Sequence, residues 1–182
     1  MLGRVVFLHF VYNALMLLSV IKWGDWRNWR QYYPTILFFI VGDLLKQFLL
    51  YEHSMWSYQE LYFGANAILK NHTFITLMIM FVFYTGTILI FLGHYPAGKL
   101  KQFFWIMFWV GIYFFIEYIN LYNLNLINHH NGWTIWWSLV FNIIMFVTLR
   151  IHFKNPLIAW ALSFVIILAL WNIFDVPVSS LK

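Results

Sequence analysis

The sequence contains no cysteine, which removes disulfides, thiolate nucleophiles and Cys-ligated zinc or iron–sulfur centres from consideration. Charge is nearly as scarce: six acidic and eleven basic residues make up only 9% of the 182 positions. A soluble domain of this size needs more charge than that to cover itself. The basic residues form no run of the kind that tracks a nucleic-acid backbone, so nucleic acid is not an expected partner. P-loop, GxGxxG, HExxH and Ser/His/Asp signatures are all missing, and with them the chemistries they support. The chain therefore reads as a non-enzyme with no cofactor and no metal. No internal repeat is visible either, which weighs against an inverted-repeat transporter.

What fills the space is apolar. Hydrophobic residues make up 63% of the chain, and 20 Phe, 11 Trp and 11 Tyr bring the aromatic share to 23%; the mean hydropathy is +0.75. Trp and Tyr favour the boundary between lipid and water. Six apolar runs, at residues 5–21, 34–51, 74–92, 102–121, 133–149 and 156–174, are long enough or nearly so to cross about 30 Å of hydrocarbon at about 1.5 Å per residue. A lipid-exposed chain must satisfy its backbone hydrogen bonds internally, and the runs lack the alternation of barrel strands. The predicted fold is a single all-α domain, a polytopic membrane helix bundle of about six transmembrane helices, with Pro34 and Pro156 in the first turns of their helices.

Arg4 ahead of the first run invites a signal-peptide reading, but no small-x-small cleavage site follows and the run is expected to be retained. Residues 52–73 form the one long connection, with Trp56, Leu61, Tyr62, Ala65, Ile68 and Leu69 at near-helical spacing. This pattern predicts an amphipathic segment lying in the membrane interface.

Lys and Arg collect on cytoplasmic connections. The first, third and fifth connections hold seven basic residues, Lys22, Arg27, Arg30, Lys99, Lys101, Arg150 and Lys154. The other side holds three, Arg4, Lys70 and Lys182. Both termini are therefore expected outside, with Trp23, Trp26, Trp29, Tyr32 and Tyr33 in the inner aromatic belt and Trp133, Trp136 and Trp137 in the outer one.

Ionisable groups inside a bilayer cost roughly 2.5–3.5 kcal/mol each on insertion scales, so each needs a partner, a wet cavity or a job. Asp43, Lys46 and Gln47 share one face of the second span at i, i+3 and i+4, with Asp43 expected near the midplane. The face is either part of an ion or proton path or an internally neutralised pair that fixes packing. Tyr113, Glu117 and Asn120, spaced by four and three, draw a polar stripe on the fourth span, which Asn123 would extend. Counted from the inner side, Lys46 lies about 18 Å and Glu117 about 22 Å deep, so a Lys46–Glu117 contact is expected, leaving one carboxylate short of a partner. His9 and Asn13, at i and i+4 on the first span, reach a similar depth and either join a relay or serve as packing residues. Asn142 reads as glue between helices, and Asn172 and Asp175 as capping or solvated groups. His53, His72, His129 and His130 gather in the outer connections without metal-ligand spacing. Asn71-His72-Thr73 matches a glycosylation sequon.

Three segments carry a resemblance: residues 22–45, KWGDWRNWRQYYPTILFFIVGDLL; residues 130–152, HNGWTIWWSLVFNIIMFVTLRIH; and the closing FDVPV at 174–178. Together they resemble a family of small multi-pass membrane proteins of spore-forming Firmicutes, over nearly the whole chain. The resemblance implies a bacterial cytoplasmic membrane and no particular chemistry. Vitamin-binding subunits of modular uptake transporters are similar only in size and span number, and their AxxxA docking pattern is missing from the first span.

The function expected from the sequence is binding or transport of a small solute, ion or proton through an outward-facing polar pocket formed by His9, Asn13, Asp43, Lys46, Gln47, Tyr113, Glu117 and Asn120. The alternative is a non-catalytic accessory protein, with a membrane protein partner, whose polar core is purely structural. Because the chain has no native thiol, orientation can be read from single cysteines. With Gly98→Cys and Gly132→Cys variants, an impermeant thiol reagent added to intact cells should label only the second. Labelling of the first alone would reverse the topology.

Overall fold

The computed structural model of the protein describes residues 2–58, 77 and 79–178, with the side chains of residues 2–10, 12, 13, 58 and 79 excepted. Among them stand six α-helices: α1 (Leu2–Trp23), α2 (Trp29–Leu49), α3 (Thr85–Gly93), α4 (Lys99–Tyr118), α5 (Ile135–Lys154) and α6 (Pro156–Ile173). A π-helical stretch, Ile79–Tyr84, leads into α3, and a second, Ile119–Asn123, continues α4. Three helices are long and apolar enough to cross a membrane: Lys99–Asn123, Ile135–Lys154 and Pro156–Ile173, of 25, 20 and 18 residues. The shortest is about 27 Å long at the standard rise. Ala14–Trp23 and Met80–Gly93 are shorter apolar helices.

Local sequence sets several of these boundaries. Thr134 caps α5, its side chain accepting from the Trp137 amide, and Asn155 both ends α5 and caps α6 by accepting from Ile158 at 3.3 Å. Pro156 then fills the first turn of α6, as expected. Pro34 does not behave the same way. A short 3₁₀ turn, Trp26–Asn28, hands the chain directly to α2 at Trp29, which leaves Pro34 inside the helix. The missing N–H there removes one helical hydrogen bond close to the inner end.

Helices α4 and α5 pack as antiparallel neighbours, α6 packs on α5, α2 lies against α3 and α5, and α1 lies against α3. Ile36, Phe39, Ile88, Leu89, Phe91, Trp109, Val110, Phe146 and Leu149 fill the core between them. Rings dominate its centre, with Phe91 and Phe146 at 5.1 Å, Trp109 and Phe146 at 6.0 Å, and Tyr113 and Phe146 at 5.1 Å between centroids. Ala159 is the one residue that α6 buries. Its Leu157, Phe164 and Val165 point outward, as do Phe104, Phe108 and Phe115 of α4, so the outer surface of the bundle is apolar.

Alternate connections meet at opposite ends. At the end that the sequence leads one to expect inside, here the inner end, the Asp25 amide donates to Leu89 O at 3.3 Å, and Arg150 lies 4.0 Å over the Tyr95 ring. At the opposite end, expected outside and here the outer end, β1 (Trp56–Tyr58) and β2 (Ile127–His129) pair antiparallel, Trp56 opposite His129. Trp56 was expected on an amphipathic helix; it sits in this strand because the chain leaving α2 meets the segment leaving α4 and their amides pair with each other. Residues 59–76, with Lys70, His72, the sequon and the rest of the expected interfacial segment, lie outside the described residues. A second small core of Met55, Trp133 and Val176 closes this end.

Two members of the expected aromatic belts belong to the interior instead. Tyr32 is buried and donates to Asp25 at 2.7 Å, and Trp133 is buried and donates to Ser138 at 2.8 Å. Trp23, Trp26, Trp29, Tyr33 and Trp136 are exposed as the belt reading requires. Gly98 and Gly132 have φ of 92° and 80°, where a cysteine would be strained. Ala97 and Asn128, both exposed in the same connections, are the better thiol positions.

Helix α1 approaches α3 so closely that a Cβ on Gly86 would overlap Val20 Cγ2. Gly86→Ala should lower the unfolding temperature of the detergent-solubilised protein, at a cost of about 1–3 kcal/mol. Adding Val20→Ala should restore much of the loss, and a Gly86→Ala protein of unchanged stability would disprove the close packing of the two helices.

Candidate functional site

The charged residues of the outer half form two clusters on either side of the β ribbon. In the first, Asp43 accepts from Lys46 Nζ at 2.6 Å on Oδ1, and from Tyr84 Oη at 3.1 Å and Gln47 Nε2 at 3.4 Å on Oδ2. The i, i+3 and i+4 spacing seen in the sequence thus becomes real contacts on one helix face. Tyr84 is held for this contact by stacking on Phe39, with ring centroids 3.9 Å apart. The Lys46 ammonium also lies 3.9 Å from the Trp56 ring centroid, a cation–π contact that covers its far side. Asp43 is buried, and Lys46 keeps 29% of its side chain exposed. Because α2 starts at Trp29 and ends at Leu49, Asp43 sits about 9 Å from the outer end of the helix. It lies nearer the Leu49 end of α2 than the Trp29 end.

The second cluster is built on Glu117. Its Oε1 accepts from His129 Nε2 at 2.9 Å and from Ser138 Oγ at 2.5 Å. Ser138 in turn accepts from the Trp133 indole at 2.8 Å. Since the carboxylate can only accept, His129 carries its proton on Nε2 and the Ser138 hydroxyl is turned toward Glu117. Three separate elements supply these groups: α4 gives Glu117, β2 gives His129, and the first turns of α5 give Ser138. The pair stays partly exposed, with 22% of the Glu117 side chain and 10% of the His129 side chain accessible.

The expected contact between Lys46 and Glu117 is replaced by these two. The ammonium is taken by Asp43, its own neighbour on α2, and Glu117 is taken by His129, which β-strand pairing brings over α4. The clusters still communicate, because the Trp56 that covers Lys46 lies opposite His129 in the ribbon. His130 extends the ribbon contacts through Ser57 at 2.9 Å.

The other expected site residues scatter. Tyr113 bonds Thr87 at 2.7 Å, one helical turn inward of Glu117, and packs edge-on against Phe146. Asn120 is buried within the π stretch, where its carbonyl oxygen takes the Leu126 amide at 2.7 Å and its side-chain Oδ1 has no partner among the described residues. The π turn changes the helical phase after Tyr118, and Asn123 is exposed. His9 and Asn13 lie on α1, and their side chains fall outside the described ones. Asn142, one turn inward of Ser138, is buried with Nδ2 unpartnered among the described residues.

His129, Ser138, Trp133, Tyr84 and Trp56 were not among the expected site residues. Ser138 and Asn142 at i and i+4 could have marked a polar face on α5, whereas nothing local ties His129 to Glu117. Comparison of the chain with protein-family models, with curated proteins and with solved structures finds no match in any of the three.

Pairwise coupling follows from these contacts. A double-mutant cycle of Glu117→Gln with His129→Ala, read from unfolding in detergent, should show an interaction energy in the range of about 0.5–3 kcal/mol. The cycle of Glu117→Gln with Lys46→Met should add to within about 0.5 kcal/mol. The opposite pattern would restore a direct Lys46–Glu117 contact.

Proposed function

We propose that this chain is a six-span integral membrane protein of a bacterial cytoplasmic membrane, both termini outside, that binds a proton, an ion or a small polar solute at an outward-facing site centred on Glu117. Three long apolar helices and an apolar outer surface support the bilayer. The seven-to-three distribution of basic residues supports the orientation, and the family resemblance supports the bacterial membrane. The site reading rests on one observation: Glu117 and His129 meet at 2.9 Å while part of each side chain stays exposed. Imidazole changes charge in the physiological pH range, so a carboxylate and imidazole reachable from outside form a natural acceptor for a proton or a cation. No bond-making step is assigned to the site.

A second reading, the accessory protein with a structural polar core, draws its support from Asp43. That carboxylate is closed by Lys46, Gln47 and Tyr84 and offers nothing to a solute. Buried polar pairs of this kind can serve packing alone.

The two readings separate in liposomes. Full-length protein reconstituted around an internal pH dye is expected to show proton movement, alone or with a solute from a screened panel, that Glu117→Gln and His129→Phe abolish while helix content is kept. The site reading is overturned if both variants keep the cellular phenotype of the wild type while Phe108→Ala or Phe164→Ala on the outward apolar face removes it. That result would place function in contacts with a membrane partner.

A further inference from the structure

The inner end of the bundle concentrates cations that the rest of the fold leaves without acid partners. Among the described residues the two ion pairs are Asp43–Lys46 and Glu117–His129, both at the outer end. The tightest group of the remaining cations is the corner between α1 and α2, where Lys22, Arg27 and Arg30 lie within nine residues and all three are exposed.

That corner is held in shape by its backbone. The Gly24 amide and the Trp26 indole both donate to Val20 O, at 2.9 and 3.0 Å. A Cβ on Gly24 would lie 2.8 Å from the Trp26 indole nitrogen, so the turn is closed around glycine. Asp25, the single acidic residue there, is engaged within the turn, its carboxylate taking Asn28 Nδ2 at 3.0 and 3.2 Å and Tyr32 Oη at 2.7 Å. Those hydrogen bonds from Asn28 and Tyr32 hold the Asp25 carboxyl below the usual carboxylate range. It stays ionised, and three cations less one anion leave the corner at +2.

Three indoles interleave with the cations. Trp23, Trp26 and Trp29 are 52%, 49% and 45% exposed. Lys22 Nζ lies 5.1 Å from the Trp23 centroid and Arg30 Cζ 6.0 Å from that of Trp29. Half-exposed indoles favour the headgroup level of a bilayer, and cations beside them lie at the depth of the lipid phosphates. A solvated basic surface does not need such rings.

We propose that the α1–α2 corner binds the headgroup of an anionic phospholipid, with Lys22, Arg27 and Arg30 on the phosphate and Trp23, Trp26 and Trp29 at the acyl boundary. The proposal rests on the membrane reading given above and deepens it by assigning a lipid class to one face. Arg27 and Arg30 offer paired N–H donors suited to phosphate oxygens, and Lys22 adds a mobile point charge.

The test uses the full-length protein in detergent with phosphatidylglycerol and phosphatidylcholine in competition, and native mass spectrometry counts the lipids retained. Wild type should retain phosphatidylglycerol preferentially. The triple variant Lys22→Gln, Arg27→Gln, Arg30→Gln should lose that preference by on the order of 100-fold at low salt, since each cation near an anionic surface is worth about fivefold. The preference of the wild type should also collapse near 1 M salt, where the screening length falls to about 3 Å. Lys99→Gln with Lys101→Gln removes two cations from the neighbouring inner connection and should leave most of the preference intact. An equal loss in both variants would overturn the proposal by showing a diffuse field in place of a site. A wild type that retains both lipids alike would overturn it as well. Release of the chain from cell membranes by alkaline carbonate would remove the membrane reading and this proposal together.

Discussion

The Glu117 carboxylate is the point at which three distant stretches of the chain are tied. A single oxygen accepts from His129 on β2 and from Ser138 at the start of α5, while Glu117 itself belongs to the outer end of α4. An ionised carboxylate in such surroundings must be hydrogen-bonded or lose its charge, and these donors meet that need together. The consequence reaches further than the contact. His129 fixes the register of β2, β2 pairs with β1, and β1 places Trp56 over Lys46. Lys46 then neutralises Asp43. One carboxylate thereby helps to position the partner of the other without touching it.

Below this polar end the interior changes character. Phe91, Trp109, Tyr113 and Phe146 pack ring against ring at 5.1–6.1 Å, and Phe91 and Phe146 are fully buried. The same α5 face that carries Ser138 and Asn142 toward the outer end carries Thr148 and His152 toward the inner end, with Phe146 between them. His152 has its own partners there, Thr35 at 3.0 Å and the stacked Phe38 ring at 4.2 Å. Polar groups thus occupy both ends of the bundle, and a close-packed aromatic layer separates them.

Much of this was legible in the sequence where the cause is local. Asn155 and Pro156 announce a helix junction, and the spacing of Asp43, Lys46 and Gln47 announces a shared face. The apolar runs place α4, α5 and α6 within a few residues. Illegible were the features decided by partners far along the chain. The pairing of Trp56 with His129 joins residues that no periodicity connects, and it removes Glu117 from the reach predicted for Lys46. The π turn after Tyr118 is a second such case, since Asn120 within it stays buried while Asn123, which straight helical spacing would add to the stripe, is exposed. Tyr32 and Trp133 make the same point for burial. An aromatic residue near a span end reads as a belt residue until the acceptor that draws it inward, Asp25 or Ser138, is in place.

The contrast between the two carboxylates bears on what the bundle is able to do. Asp43 has every nearby donor committed to it and a cation at 2.6 Å, so adding a proton would break an ion pair within a buried site. Glu117 is more open, and its donors, His129 and Ser138, both meet a single oxygen. Between the Glu117–His129 pair and His152 lie Phe146 and the rings around it, among them Tyr113, whose hydroxyl bonds Thr87, and Trp109, whose indole N–H has no partner among the described residues. Any opening of the bundle between its two polar ends would require the aromatic layer to rearrange, because close-packed rings do not yield without moving the helices that carry them.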